Sequence, residues 1–224
     1  MRLRNISIID SYQIQKSFPE IDSVTHGSTN AIPLSGFLQT LAMALAARNI
    51  ETWEHSVLVT KYAVMLGLQL GLSREEIKQL RMGSLLHDIG KIGIKDDILL
   101  KPSTLTEDEY EQIKKHPEIG AQVLEPVKAL EFIIPIVLHH HEHYDGQGYP
   151  QGLSGEKIPL AARIVSLADA FEAMTSGRPY RRAMTLQTPF EEIQLQFGRQ
   201  FDPYLGQVFI EMIKKEAYSK LEDN

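Results

Sequence analysis

The chain contains no cysteine, which removes disulfides and thiolate ligands together, so any metal it binds is held by nitrogen and oxygen. That favours iron, manganese or similar ions over a structural zinc finger. Basic residues are not in excess: 29 Asp and Glu outnumber 23 Lys and Arg, for a net charge of -6. This balance argues against the broad basic footprint that duplex nucleic acid usually requires, while a few local cations suffice for a small anion. No stretch of about eighteen apolar residues occurs, and Met1-Arg2-Leu3-Arg4-Asn5 does not lead into the apolar core of a signal peptide. The expectation is a cytoplasmic protein without a membrane span. Sustained strand-like alternation, internal repeats and low-complexity blocks are also missing. At 224 residues the length suits one main domain with a sizeable core.

What is present reads as helix. Residues 1–31 have no sustained period and end in Gly27-Ser28-Thr29-Asn30, the pattern of a lead or docking segment. From Ile32, the residues Leu34, Phe37, Leu38, Leu41 and Leu45 recur at three- and four-residue steps, an amphipathic stripe. A second helix is expected from about Glu51 to Leu70, stopped by Gly71. Ser73 with Glu76 forms a capping box for a third helix reaching His87, and Thr106 with Glu109 repeats it. Thr188-Pro189 with Glu191 and Asp202-Pro203 mark two further starts. The expected fold class is all-α.

Seven of the eight histidines fall at His55, His87-Asp88, His116 and the run His139-His140-His141-Glu142-His143. Glu51 and His55 lie four apart, one turn along the same helix face, where they could grip neighbouring ions; surface Glu/His pairs at this spacing are common. His87-Asp88 follows Leu85-Leu86. An imidazole and a carboxylate buried there are costly unless paired or coordinated, so a metal and a simple His–Asp hydrogen bond are the rival readings. Lys91 stands one turn beyond His87, where its ammonium can meet a phosphate or merely be solvated. In the histidine run, adjacent helical residues point about 100° apart. His140-His141 and His139/His143 are therefore competing pairs that spacing alone does not separate. Asp145-Gly146-Gln147-Gly148-Tyr149-Pro150 then breaks into a glycine-rich loop, either a simple turn or a close approach of backbone to ligand.

Taken together, His87-Asp88-Ile89-Gly90-Lys91 and His140-His141-Glu142-His143-Tyr144-Asp145-Gly146-Gln147-Gly148-Tyr149-Pro150 resemble the signatures of the HD-GYP phosphodiesterases. The resemblance continues through Leu99-Leu100-Lys101-Pro102, Lys115-His116-Pro117-Glu118-Ile119-Gly120, Leu167-Ala168-Asp169 and Arg178-Pro179-Tyr180-Arg181. It covers about residues 32–217, leaving 1–31 and the tail 218–224 outside. It implies an HD-domain helical bundle with additional C-terminal helices. Its ligands would be His55, His87, Asp88, His116, His140, His141 and Asp169, with Asp88 bridging at least two ions and His139 and His143 left out. Glu51 matches a position that holds a third metal in some members. Lys91, Arg178 and Arg181 match positions that contact phosphate or guanine, and Tyr149 belongs to the loop lining the site. Asn49, Trp53 and Leu58 depart from the family's Asp, Gly and Arg at those places.

The function implied is metal-dependent hydrolysis of a cyclic dinucleotide, cyclic di-GMP first, to linear pGpG and onward to GMP. Two or three divalent ions, iron or manganese, would serve it. The expected chemistry is attack on phosphorus by hydroxide held between two cations, with Asp88 and Lys91 as the catalytic pair. Two alternatives stand beside it: a cyclic-dinucleotide sensor that docks a regulatory protein or a diguanylate cyclase without turnover, and another HD-superfamily nucleotide phosphohydrolase. Loss of ligands would mark the first, and the extra ligands His116, His140 and His141 argue against the second.

Overall fold

The computed structural model describes residues 34–48, 50–176 and 187–222. The 1–31 segment, Arg178, Arg181 and the side chain of Glu51 lie outside the described residues. The helices are α1 (Leu34–Arg48), α2 (Ile50–Gln69), α3 (Arg74–Leu86), α4 (Asp96–Leu99), α5 (Glu107–Ile113), α6 (His116–Leu124), α7 (Ile134–His139), α8 (Leu160–Thr175), α9 (Gln187–Leu195) and α10 (Pro203–Glu222). Short 3-10 turns at Ile89–Gly93, Lys128–Ile133 and Gly155–Lys157 link them. No β-strand forms among the described residues; Phe197 and Phe201 make one isolated bridge. None of the described helices is long and apolar enough to cross a membrane.

Local chemistry sets the helix starts. Ser73 Oγ accepts from the Glu76 N–H at 3.3 Å while the Glu76 carboxylate accepts from the Ser73 N–H at 2.8 Å. Thr106 and Glu109 close the same box on α5 at 3.3 and 2.7 Å. Each cap contributes about 1 kcal/mol by satisfying N–H groups that no preceding turn can reach. Asp202 Oδ1 accepts from Tyr204 N–H at 2.9 Å and Leu205 N–H at 3.3 Å to open α10. Its other oxygen accepts from Arg163 Nη1 at 2.5 Å, tying α10 to α8. The start expected at Thr188 falls one residue inside α9, which begins at Gln187.

Two apolar clusters make up the core. The larger gathers Val59, Leu66, Leu80, Ile136, Ile164, Phe171, Phe190 and Phe209 from α2, α3, α7, α8, α9 and α10. The second joins Leu38, Trp53, Met82, Leu85, Leu86, Leu124 and Val137 from α1, α2, α3, α6 and α7. Trp53 is only 4% exposed in this second cluster, so its bulk replaces a small residue by filling core. Helices α2, α3 and α7 contribute to both clusters, and these three also carry or end at His55, His87 and His140. The end of α3 is buried all round, from Met82 to Leu86, so the chain delivers His87 and Asp88 into the interior.

One arginine secures the turn that follows. Arg48, at the end of α1, donates through Nη1 to the Lys91 carbonyl at 2.7 Å, through Nη2 to the Ile94 carbonyl, and to Asp96 Oδ1 at 2.7 Å. The guanidinium fork thereby gives the Ile94 carbonyl a partner and adds a second one to the Lys91 carbonyl, which also accepts from the Ile94 N–H at 3.1 Å.

Candidate metal centre

Three of the histidines are placed by one local device. His87 ends α3, His140 ends α7, and His116 follows the end of α5. Each Nδ1 faces the carbonyl three residues earlier: Ser84 at 2.6 Å, Ile113 at 2.8 Å and Val137 at 2.8 Å for His87, His116 and His140 in turn. A helix's last carbonyls lack intrahelical partners, and a carbonyl only accepts, so Nδ1 carries the proton. The Nε2 lone pair is left to point inward.

Those lone pairs converge without a hydrogen between them. His116 Nε2 and His140 Nε2 stand 3.2 Å apart, and His87 Nε2 is buried with no hydrogen-bond partner. Two facing lone pairs and an orphaned buried nitrogen are unfavourable unless a cation accepts them. This fits a divalent ion bound by nitrogen and oxygen. One ligand atom each from His116, His140 and His141 lies within 4.8 Å of the others, as do those of His55, His87 and Asp169, and those of His87, Asp88 and His140.

Asp88 sits between these groups. It is 1% exposed, with Oδ1 3.3 Å from His116 Nε2 and Oδ2 3.5 Å from His87 Nε2 and 3.9 Å from His55 Nε2. Lys91 Nζ donates to Oδ2 at 2.5 Å. Burial alone opposes ionisation of Asp88, but the Lys91 ammonium beside it outweighs this and holds the carboxyl well below its ordinary range. Burial acts oppositely on the imidazoles. It pushes His140 and His116 down, and His141 to about 3, so all three present neutral lone pairs.

His55 differs. Its Nε2 lies 2.9 Å from Asp169 Oδ1, and its Nδ1 bonds Glu172 Oε2. Burial works against its charge, yet the bonds to Asp169 and Glu172 prevail and raise it to about 9. Asp169 is depressed in turn: burial resists ionisation, and the bond from His55 overcomes it.

The loop after α7 folds back over the cluster. His139 and His143 are not part of any of the three ligand groups. Tyr149 N–H donates to the His141 carbonyl at 3.1 Å, and the two rings stack at 4.9 Å. A Cβ on Gly148 would lie 2.2 Å from the His143 nitrogen and 2.5 Å from the His141 carbonyl oxygen, so only glycine permits the approach. Burial pushes the Tyr149 phenol up, keeping it neutral.

Two carboxylates were not singled out from sequence. Glu142, 2% exposed, accepts from Gln151 N–H at 2.8 Å and Leu153 N–H at 3.0 Å and so closes the loop. Glu172, 4% exposed, bonds His55. Its available signal was the three-residue spacing from Asp169, which puts both on one face of α8.

The HD domain family model matches residues 39–205. The chain is 45% identical over 168 residues to the cyclic di-GMP phosphodiesterase response regulator RpfG of Xanthomonas campestris pv. campestris (strain 8004), covering 74% of this chain and 44% of that protein. It is 37% identical over 190 residues to a cyclic di-GMP phosphodiesterase of Thermotoga maritima, covering 83% and 52%. Among solved structures, a cyclic GMP-AMP-specific phosphodiesterase of V. cholerae (V-cGAP3) superimposes with a TM-score of 0.61 at 23% identity, over 80% of this chain and 48% of that one. The chain thus spans about half the length of the relatives it matches.

Proposed function

Since the chain belongs to the HD-domain family, in its HD-GYP branch, we propose that it hydrolyses a cyclic dinucleotide, cyclic di-GMP first, with the help of bound divalent metal ions. The observation that carries this reading is Asp88, which turns one oxygen toward His116 and the other toward His87 and His55. A carboxylate so placed would serve as a ligand to divalent cations held by the histidines on both sides of it. The proposed ligands are His55, His87, Asp88, His116, His140, His141 and Asp169, with Glu51 serving a third ion, and with iron or manganese as the metal.

Such cations supply Lewis acidity toward a phosphoryl oxygen and lower the pKa of water. The reaction adds water across one phosphodiester: a bond forms from the water oxygen to phosphorus, the bond to O3′ breaks, and O3′ takes up a proton, opening the ring to pGpG. A second round at the remaining diester gives GMP. Lys91 is a point charge beside Asp88 that can turn to a non-bridging phosphate oxygen as substrate enters. Tyr149 lines the site by its stack on His141. Arg178 and Arg181 are assigned to phosphate or guanine, which a guanidinium fork recognises in its own plane.

Chromatography of products from cyclic di-GMP and cyclic GMP-AMP, with iron-loaded, manganese-loaded and metal-stripped protein, tests the proposal. The expected result is pGpG or GMP from the loaded protein and none from the stripped one. Intact substrate in every loaded sample refutes it.

A further inference from the structure

His87, His116 and His140 each turn Nδ1 to a backbone carbonyl three residues back, whereas His55 does not. It bonds instead to Glu172, across 117 residues of chain. Glu172 is buried, and its second oxygen accepts from the Oγ of Ser176, the residue that caps the end of α8. A buried carboxylate is costly unless its oxygens are occupied, and both are. The Ser176 bond fixes the carboxylate, the carboxylate fixes the ring, and the ring's Nε2 is held toward Asp169 at 2.9 Å.

The chemical consequence separates the two ends of the cluster. His87, His116 and His140 lean on neutral carbonyl oxygens, whereas His55 leans on an anion. A carboxylate at Nδ1 draws the proton toward itself and makes Nε2 a stronger donor than a carbonyl partner does. We propose that Glu172 is the positioning residue of this site: it orients His55 and strengthens its Nε2, so that the His55–His87–Asp169 end binds its cation more tightly than the His116–His140–His141 end. Glu172 does not touch substrate; it acts through His55. The inference rests on the metal-binding part of the proposed function and not on the identity of the nucleotide.

The test is calorimetric titration of the metal-stripped full chain with Mn2+, without nucleotide. Wild type should show a tight and a weaker step. Glu172→Gln keeps the shape and an acceptor for Nδ1–H but removes the charge. It should weaken the tight step by about 10–100-fold and leave the weaker step unchanged. With Co2+ in place of Mn2+, its ligand-field absorption should shift at the first equivalent only. Ser176→Ala leaves the charge and loosens the carboxylate, so it should weaken the same step by less than about tenfold; this variant decides the matter if Glu172→Gln does not fold. Both steps unchanged in a folded variant, or both weakened together, would overturn the assignment, the second outcome marking Glu172 as a core residue only. A wild-type protein that binds no Mn2+ would overturn the metal reading itself, and this one with it.

Discussion

Gly90→Ala tests whether the site depends on a backbone contact. A Cβ at Gly90 would lie 1.9 Å from the His116 carbonyl oxygen and 2.4 Å from the Gly120 nitrogen. Both are main-chain atoms of α6, so no rotamer change relieves the clash. Reaching the 3.4 Å of ordinary contact requires α6 and the 3-10 turn to part by about 1.5 Å, or strain shared between them. Overpacking of this kind costs about 1–3 kcal/mol. In a chain of this size each kcal/mol lowers Tm by about 2–4 °C. The functional loss should be larger than the loss of stability. His116 begins α6, and its Nε2 is 3.2 Å from His140 and 3.3 Å from Asp88, so a shift near 1 Å withdraws it from the cluster, at a cost of about 100-fold in rate. Gly93→Ala is the control, because there the Cβ meets the Ile119 side chain at 2.8 Å, which can turn aside. The assays are thermal melting by circular dichroism, elemental analysis and product formation from cyclic di-GMP. Wild-type metal content and turnover in Gly90→Ala would refute the reasoning.

Seven further substitutions, grouped into four tests, probe the rest of the site. Asp88→Ala should lower turnover at least about 100-fold with helical dichroism retained; activity within a few-fold of wild type would remove the bridge. His140→Ala and His141→Ala should each lose metal by elemental analysis, whereas His139→Ala and His143→Ala should keep it, and the reverse pattern would show the register to be wrong. Glu51→Gln should lose about one metal per chain while keeping the others, and identical content in mutant and wild type would leave a two-metal site. Arg48→Ala removes the guanidinium from the Lys91 and Ile94 carbonyls, so it should reduce turnover several-fold with metal content unchanged; coupled loss of metal would extend the clamp's influence to Asp88.

The sequence was most informative where one residue type has one physical use. Ser73/Glu76 and Thr106/Glu109 close the boxes expected of them, because a short hydroxyl followed three residues later by a Glu has little else to do at a helix start. The histidine run resisted reading because the 100° argument assumes a continuous helix. In the structure α7 ends at His139, so His140 and His141 leave the helical register and their rings come within 4.1 Å of each other. Glu172 stayed hidden for a different reason. A Glu three residues after an Asp on a helix ordinarily faces water, and its burial depends on α2 bringing His55 to it from far away in the chain. Trp53 illustrates the same limit: whether it shields the site or fills the core is decided by Leu85, Leu86 and the other apolar residues of its cluster, and spacing is silent about them.

The ligand candidates on or just past α2, α3, α6, α7 and α8 recur along the chain at His55, His87, His116, His140 and Asp169, separated by 24 to 32 residues. Ions held there would join five segments into successive closed loops, in a chain with no cysteine to do so. Loop closure lowers the entropy of the unfolded chain whether the link is sulfur or metal, but a metal link comes and goes with free ion concentration. At a hundred times its Kd, one such ion adds about 2.7 kcal/mol to the folded state. Metal supply would then govern how long the protein survives proteolysis as well as the proposed hydrolysis, and a cell short of the ion would lose the protein along with any activity the ion supports.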